Sequence, residues 1–239
     1  MEKRRFYVIC SFFFLAAALC LGQAPKTDTE IWQTAVALRT KSITFAPSLL
    51  LYEYYHIDKE GRAGRPETGC IGLAYDEAGK ATISVVWAKR NEVDYTAERR
   101  SRLDKMSSKR SEFLQYFTPF DPDLQDKLKR SNGLQVFQDG RFFWQYEFSL
   151  PLDRRRSFTG IARVDADGRP YDYSFTLSPK PFFMDMMDVS ISFDSSSEYL
   201  TLGKIDFLYE ASFLFWRWKG GGNAGFDGWK WISAPPKLF

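Results

Sequence analysis

The chain has 239 residues, of which 44% are hydrophobic and 17% aromatic, and it carries a formal net charge of +3. That length is enough for one domain with a sizeable core. Residues 1–22 hold three of the 33 basic residues and one of the 30 acidic residues, so the remainder is close to neutral. We therefore expect no nucleic-acid partner, because such binding needs a strong basic excess.

The N-terminal segment has the residue order of a secretory signal peptide. Three basic residues precede an uncharged apolar run at 6–21, which is shorter than the roughly 20 residues that span a bilayer. We predict that residues 1–22 are a signal peptide cut after Gly22. Residues 23–239 then form one exported domain, in the periplasm or at the outer membrane. The alternatives are an uncleaved anchor and a lipoprotein cleavage at Cys20.

The histidine and cysteine content restricts the chemistry. Cys70 is the single cysteine after the predicted signal peptide, which excludes an internal disulfide in the exported chain. His56 is the single histidine, which excludes a two-histidine metal site and leaves a Ser-His-Asp triad only with His56 as base. Asp185, Asp188 and Asp194 lack calcium-loop spacing. We predict a non-enzymatic protein without metal or cofactor, and a two-carboxylate hydrolase is the alternative.

The first half of the chain predicts both helices and strands. Thr27 and Glu30 have the spacing of a capping box, and apolar residues at helical intervals follow them. Alternating apolar residues and turn residues predict strands and a hairpin. The predicted elements are a helix at 28–40, strands within 43–57, a hairpin at 69–89, a charged helix at 96–117 and a helical turn at 122–130.

The second half predicts strands almost throughout. The pairs Asp139-Gly140 and Asp167-Gly168 predict hairpin turns, whereas the glycines at 220–222 predict a loop. The fold class that follows is α+β. We expect a curved, incomplete antiparallel β-barrel of about 8–10 strands, with two or three helices covering one side. The predicted strands are 134–138, 141–149, 158–165, 170–178, 187–194, 200–219 and 228–233.

Two groups of side chains are candidates for binding. Six aromatic residues could line a hydrophobic cavity under the helices, and an ordinary filled core is the alternative. Four basic residues of the charged helix could contact a membrane surface, and a solvated face with local ion pairs is the alternative. The candidate cavity residues are Phe142, Trp144, Phe182, Phe183, Phe213 and Phe215. The candidate basic surface is Arg99, Arg102, Lys105 and Lys109.

Three stretches of the second half share a strand-and-turn pattern. Residues 160–177 hold a strand, an Asp…Gly-x-Pro turn and a return strand. Residues 179–194 are a proline-bearing loop that leads into a strand, and residues 196–218 are a polar turn before a long aromatic strand. In these features the chain resembles the LolA/LolB-like superfamily of periplasmic lipoprotein carriers. The hairpin at 71–89 and the charged helix after it resemble uncharacterised exported relatives of this superfamily, and the resemblance covers most of residues 43–219. The charged helix at 96–117 and the Trp- and Gly-rich segment at 216–231 depart from the transport proteins themselves.

The resemblance implies an unclosed antiparallel barrel whose helices cover a hydrophobic cavity for acyl chains. It implies no individual functional residue. On this basis we expect an exported lipid- or lipoprotein-binding carrier whose partner is an acyl chain or a lipoprotein. The alternative is a non-enzymatic envelope scaffold or protein-interaction domain with a filled core. An open inner face of the sheet would favour the carrier, and a packed one the scaffold.

Overall fold

The computed structural model describes residues 26–58, 60–106, 118–194, 197–213 and 216–236. The predicted signal peptide at 1–22 lies outside the described residues, as do Lys109 and Phe215. The second half of the predicted charged helix also lies outside them.

The described chain is mainly antiparallel β-sheet with two α-helices, which confirms the predicted α+β class. The helices are α1 (Asp28–Lys41) and α2 (Thr96–Met106), and Pro122–Leu124 forms a 3-10 turn. The strands are β1 (Phe45–Ala46), β2 (Leu49–Ile57), β3 (Glu67–Tyr75), β4 (Ala81–Arg90), β5 (Val93–Asp94), β6 (Lys129–Arg130), β7 (Leu134–Gln138), β8 (Arg141–Pro151), β9 (Ser157–Asp165), β10 (Pro170–Ser178), β11 (Met184–Asp194), β12 (Thr201–Phe213), β13 (Trp216–Asp227) and β14 (Lys230–Trp231).

Within the described residues, one large sheet contains 12 strands, and it is open, not closed into a barrel. Its order is β5-β4-β3-β2-β13-β12-β11-β10-β9-β8-β6, with β7 also paired to β8, while β1 and β14 form a separate pair. The strand count exceeds the prediction partly because β5 and β6 have two residues each, too few for a readable pattern. The pairing of β13 with β2 joins distant parts of the chain in the middle of the sheet.

Three predictions for individual elements need correction. The predicted strand at 200–219 is two strands, because β12 and β13 pair as a hairpin in which Phe213 is opposite Trp216. The sequence between those two residues contains no Gly, Pro, Asn or Asp to mark a turn. The glycines at 220–222 are a buried part of β13, not a loop. The helical turn predicted at 122–130 is limited to the 3-10 turn, and its end forms β6 on β8.

Helix α1 begins as its sequence predicts. The Thr27 hydroxyl accepts a hydrogen bond from the Glu30 backbone N–H, and the Glu30 carboxylate accepts one from the Thr27 backbone N–H at 2.7 Å. The first bond satisfies one of the amides that a helix start leaves without an intrahelical partner. These carboxylate contacts hold the pKa of Glu30 below its usual range, chiefly through the Thr27 backbone bond.

Helix α1 fills the core over strands β8–β12. Trp32 is 1% exposed, and its ring centroid lies 4.9 Å from those of both Phe120 and Tyr146. Its indole N–H donates to the Gln125 side-chain oxygen at 2.9 Å, so the one polar atom of the ring is satisfied. The larger cluster joins the helix to the sheet through fully buried residues, including Ile31, Ala35, Ala162, Val164, Tyr173, Leu200 and Leu202.

Helix α2 covers β4 through a smaller contact. Its apolar cluster consists of Val85, Ala88 and Tyr95, with Leu103 packed against them. Polar side chains supply the rest of the attachment: the Arg100 guanidinium donates to the Val85 carbonyl at 3.0 Å. A charged helix with so few apolar residues can bury little area, so its stabilisation is small compared with that of α1.

Both helices lie on the same face of the sheet, which we call the inner face. Residues directly opposite each other on paired strands point to the same face. One continuous row of such partners runs from the core under α1 to the cluster under α2. The row is Ile191, Ile205, Ala224, Tyr52, Gly69 and Ala88.

Candidate functional site

Between the two helices, the inner face carries four aromatic residues that we call the aromatic floor: Tyr52, Tyr54, Phe207 and Tyr209. The next row of partners across the sheet is Val189, Phe207, Gly222, Tyr54 and Glu67. The row beyond it is Met187, Tyr209, Gly220 and His56. All four aromatic side chains of the floor are only partly buried.

Glycines beside the floor let these rings lie flat on the sheet. A Cβ at Gly69 would come within 2.5 Å of the Tyr52 ring, and one at Gly222 would come within 2.9 Å of the Phe207 ring. At Gly220 the nearest side-chain atom would be the Tyr209 hydroxyl, at 2.9 Å. Such distances are shorter than van der Waals contact, so any side chain would lift the rings. Glycine in a strand lowers stability, and at these positions it allows the aromatic rings to pack directly against the backbone.

The tyrosine hydroxyls of the floor are bonded to each other or to a carboxylate. The hydroxyls of Tyr54 and Tyr209 are 2.6 Å apart, and the ring of Tyr54 stacks on that of Phe207. Burial, followed by the bond from Tyr54, raises the pKa of Tyr209 to about 12. This phenol therefore remains protonated at neutral pH and is a poor general base.

An ionic cluster borders the floor on the side of α2. The Glu67 carboxylate accepts a hydrogen bond from the Tyr52 hydroxyl at 3.2 Å and one from the Arg90 guanidinium at 2.8 Å. Arg99 of α2 lies 3.5 Å from the same carboxylate and over the ring of Tyr52. Burial, the largest effect, raises the pKa of Tyr52, and the Arg99 charge opposes it. The bond to Glu67 raises the pKa of Arg90, so the guanidinium stays charged.

The six predicted cavity residues are not brought together. Phe142 is 66% exposed beside Phe137 at the β7–β8 turn, and Trp144 packs against the core under α1. Phe182 and Phe183 are exposed at the β10–β11 turn, at the opposite end of the sheet, about 25 Å away along a strand. Phe213 ends β12, with its side chain outside the description, and Phe215 is not described at all. In an antiparallel sheet, successive turns lie at opposite ends. The sequence alone does not show which turns share an end, so it cannot show which aromatic residues lie close together.

The predicted basic surface is largely engaged in local ion pairs where it is described. Arg102 bonds to Glu98 at 2.7 Å, one helical turn away, and Arg99 faces Glu67 on the sheet. The side chains of Lys105 and Lys109 lie outside the described part of the chain.

The remaining reactive side chains do not form a site in the described ranges. There, no three His, Cys, Asp or Glu side chains lie close enough to hold a metal ion. His56 is exposed near the end of β2, opposite Gly220. Cys70 is buried, and burial raises the pKa of its thiol, which keeps it protonated and unreactive.

The aromatic floor is absent from the predicted sites, although its strands carry a signal in the sequence. Tyr52 and Tyr54 alternate in β2, Phe207 and Tyr209 alternate in β12, and both pairs have the period of a strand face. The three successive glycines favour a loop over a strand, and that prediction is wrong. A glycine strand beside aromatic strands is the pattern that marks this surface.

Comparison with known proteins gives no assignment. No family model matches the chain, and neither a curated protein nor a solved structure matches it. None of the described helices is both long enough and apolar enough to cross a membrane.

Proposed function

We propose that this protein is an exported, non-enzymatic binding protein or carrier for an acyl chain or a lipid-anchored protein, and that the chain binds on the aromatic floor. The observation that carries the proposal is a row of partly exposed aromatic rings, flat on glycines, between two helices on one face of an open sheet. The proposal includes a sheet curved into an incomplete barrel, with the helices as its cover. The periplasm or the outer membrane is its proposed location.

Burial of apolar area would drive the binding. Each methylene removed from water contributes about 0.8 kcal/mol, so an acyl chain of a dozen carbons gains enough to be captured. Flat rings suit such a ligand because they present continuous apolar area without a specific pattern of hydrogen bonds. The Glu67–Arg90–Arg99 cluster at the border of the floor is positioned for the polar end of the chain.

The test compares adjacent tyrosines on opposite faces of β2. Tyr54→Ser removes a ring from the floor, whereas Tyr55→Ser removes one from the opposite face, since successive strand residues alternate. Binding of a dansyl-labelled fatty acid should weaken about tenfold for Tyr54→Ser and Phe207→Ser, and not for Tyr55→Ser. Native mass spectrometry of protein purified from the cell envelope should show bound lipid for the wild type.

Either of two results would contradict the proposal. One is a folded Tyr54→Ser protein that binds the probe as the wild type does. The other is a wild type that binds no probe and carries no lipid mass.

A second candidate is a ligand-free scaffold or interaction domain of the envelope. The solid core under α1 favours it, because that half of the inner face has no room for a ligand. Absence of lipid from the purified protein, together with a stable protein partner, would support this candidate.

A further inference from the structure

Two adjacent loops form one end of the sheet, which we call the basic tip: residues 152–156 and 179–183. They are neighbours because Ser157 pairs with Ser178, so the loop before β9 and the loop after β10 leave the sheet side by side. The second loop is tied to β12, since the Ser212 backbone N–H donates to the Phe183 carbonyl at 2.8 Å.

The basic tip exposes large apolar side chains. Phe182 is 85% exposed, the highest value among the exposed large hydrophobic residues of the described chain, and Phe183 is 43% exposed. Their rings meet edge to face with centroids 5.5 Å apart, and Leu152 in the neighbouring loop is 41% exposed. Exposed large apolar residues grouped on adjacent loops are typical of a surface that is covered in use.

The same loops carry an excess of positive charge. Residues 152–156 and 179–185 together include four basic residues and two acidic ones. Arg156 pairs with Asp153 at 2.6 Å, but Arg154 and Arg155 are exposed and form no ion pair with the side chains described. The Lys180 ammonium donates to the Asp185 backbone carbonyl, and it forms no ion pair with the carboxylates that the structure describes.

The opposite end of the sheet provides the contrast. Phe137 and Phe142 at the β7–β8 turn are exposed to 65% and 66%, so the apolar component is similar there. The turn itself is Asp139-Gly140-Arg141, in which one acidic and one basic residue balance. The combination of aromatic side chains with uncompensated arginines is therefore a property of the basic tip.

We propose that the basic tip docks on the surface of an anionic phospholipid bilayer. Arg154 and Arg155 contact the lipid phosphates, and Phe182 and Phe183 enter the boundary between headgroups and acyl chains. Basic residues near an anionic surface and aromatic residues at the interface are the two components of reversible peripheral binding. The site goes beyond the proposed function and does not depend on it, because docking needs no ligand on the aromatic floor.

The experiment measures co-flotation of the purified protein with vesicles. One set of vesicles contains phosphatidylcholine alone, and in the other phosphatidylglycerol replaces part of it. The variants are Arg154→Gln/Arg155→Gln and Phe182→Ser/Phe183→Ser, and the matched control is Phe137→Ser/Phe142→Ser at the opposite end. Every protein has the same N-terminus, so that segment contributes equally to all measurements.

We expect the wild type to bind vesicles with phosphatidylglycerol more strongly than those without it. The arginine variant should lower the partition coefficient about fivefold for each arginine removed, and the phenylalanine variant about tenfold. The control should bind as the wild type does.

Equal binding by the tip variants and the wild type would overturn the proposal, as would an equal loss in the control or no preference for the anionic vesicles. Binding of the dansyl-labelled fatty acid without vesicles should be unchanged in both tip variants. A failure of docking is therefore distinguishable from a failure of the aromatic floor.

Discussion

The two helices cover the same face of one sheet, yet they stabilise it to very different extents. Helix α1 places Ile31, Trp32 and Ala35 against the sheet with 1% exposure or less. Helix α2 contacts it through one small apolar cluster and a set of arginine contacts. The aromatic floor lies between these regions. Helix composition, more than the sheet, therefore decides which half of the inner face is packed and which half stays accessible.

The largest expected effect comes from the α1 side. Trp32→Ala removes a fully buried ring and leaves a cavity beside Phe120 and Tyr146, so we expect a loss of about 3–5 kcal/mol in unfolding free energy. Trp218→Ala is the matched control, because this tryptophan is 42% exposed, and it should cost about 1 kcal/mol or less. Chemical denaturation measures both. Similar losses in the two variants would contradict the contrast between the halves.

The ion pairs on the two sides of the inner face should differ in their contribution to the unfolding free energy, by less than the two tryptophans do. The Arg39–Asp121 pair has a distance of 2.5 Å and side chains only 5% and 12% exposed. Asp121→Ala leaves the buried guanidinium without this partner, so it should cost about 3 kcal/mol. Glu67→Ala on the α2 side should cost about 1 kcal/mol or less, because its arginine partners are 42% and 30% exposed.

Denaturant titrations of the two variants provide the measurement. Arg39→Met/Asp121→Leu serves as the control for the buried pair, since an apolar replacement of both partners should restore part of the stability. If Glu67→Ala lowers the unfolding free energy as much as Asp121→Ala does, the ion pairs beside the two helices stabilise the fold equally, which would contradict the contrast.

The smallest expected effect is on the change of folding stability at acidic pH. The largest influence on the pKa of Asp28 is the hydrogen bond from the Gly133 backbone N–H, which lowers it. The hydrogen bond from the Thr27 backbone N–H likewise lowers the pKa of Glu30. A carboxyl whose pKa is lower in the folded state stabilises the fold above its unfolded pKa, and this contribution is lost as the pH falls through the folded value. The Thr96 backbone N–H likewise lowers the pKa of Asp94 at the start of α2.

We expect global stability to fall as the pH drops from about 5 to about 3, and Asp28→Asn/Glu30→Gln to flatten that slope. Asp94→Asn should leave the slope nearly unchanged, because α2 can detach without unfolding the core under α1. Denaturation midpoints against pH measure this. A larger effect of Asp94→Asn would show that α2 belongs to the global unfolding unit.

Elements with local signals were predictable. The capping residues Thr27 and Glu30 marked the start of α1, and turn residues between apolar strands marked the hairpin of β3 and β4. Both depend on interactions between residues close in the chain. The β12–β13 turn was missed because apolar residues continue through it, and β13 after residue 219 was missed because its three glycines have no strand propensity.

The alternating aromatic residues of β2 and β12 indicated two strand faces, but the sequence could not show that they form one surface, since Tyr54 and Gly222 become neighbours only when β13 pairs with β2. The same holds for the basic tip, whose two loops are separated by strands β9 and β10. The α+β class, the start of α1 and most strand positions could be predicted from the sequence, because they follow from composition, residue periodicity and capping. Which aromatic residues share a face and which turns share an end depends on strand pairing, because pairing sets the distances between residues far apart in the chain.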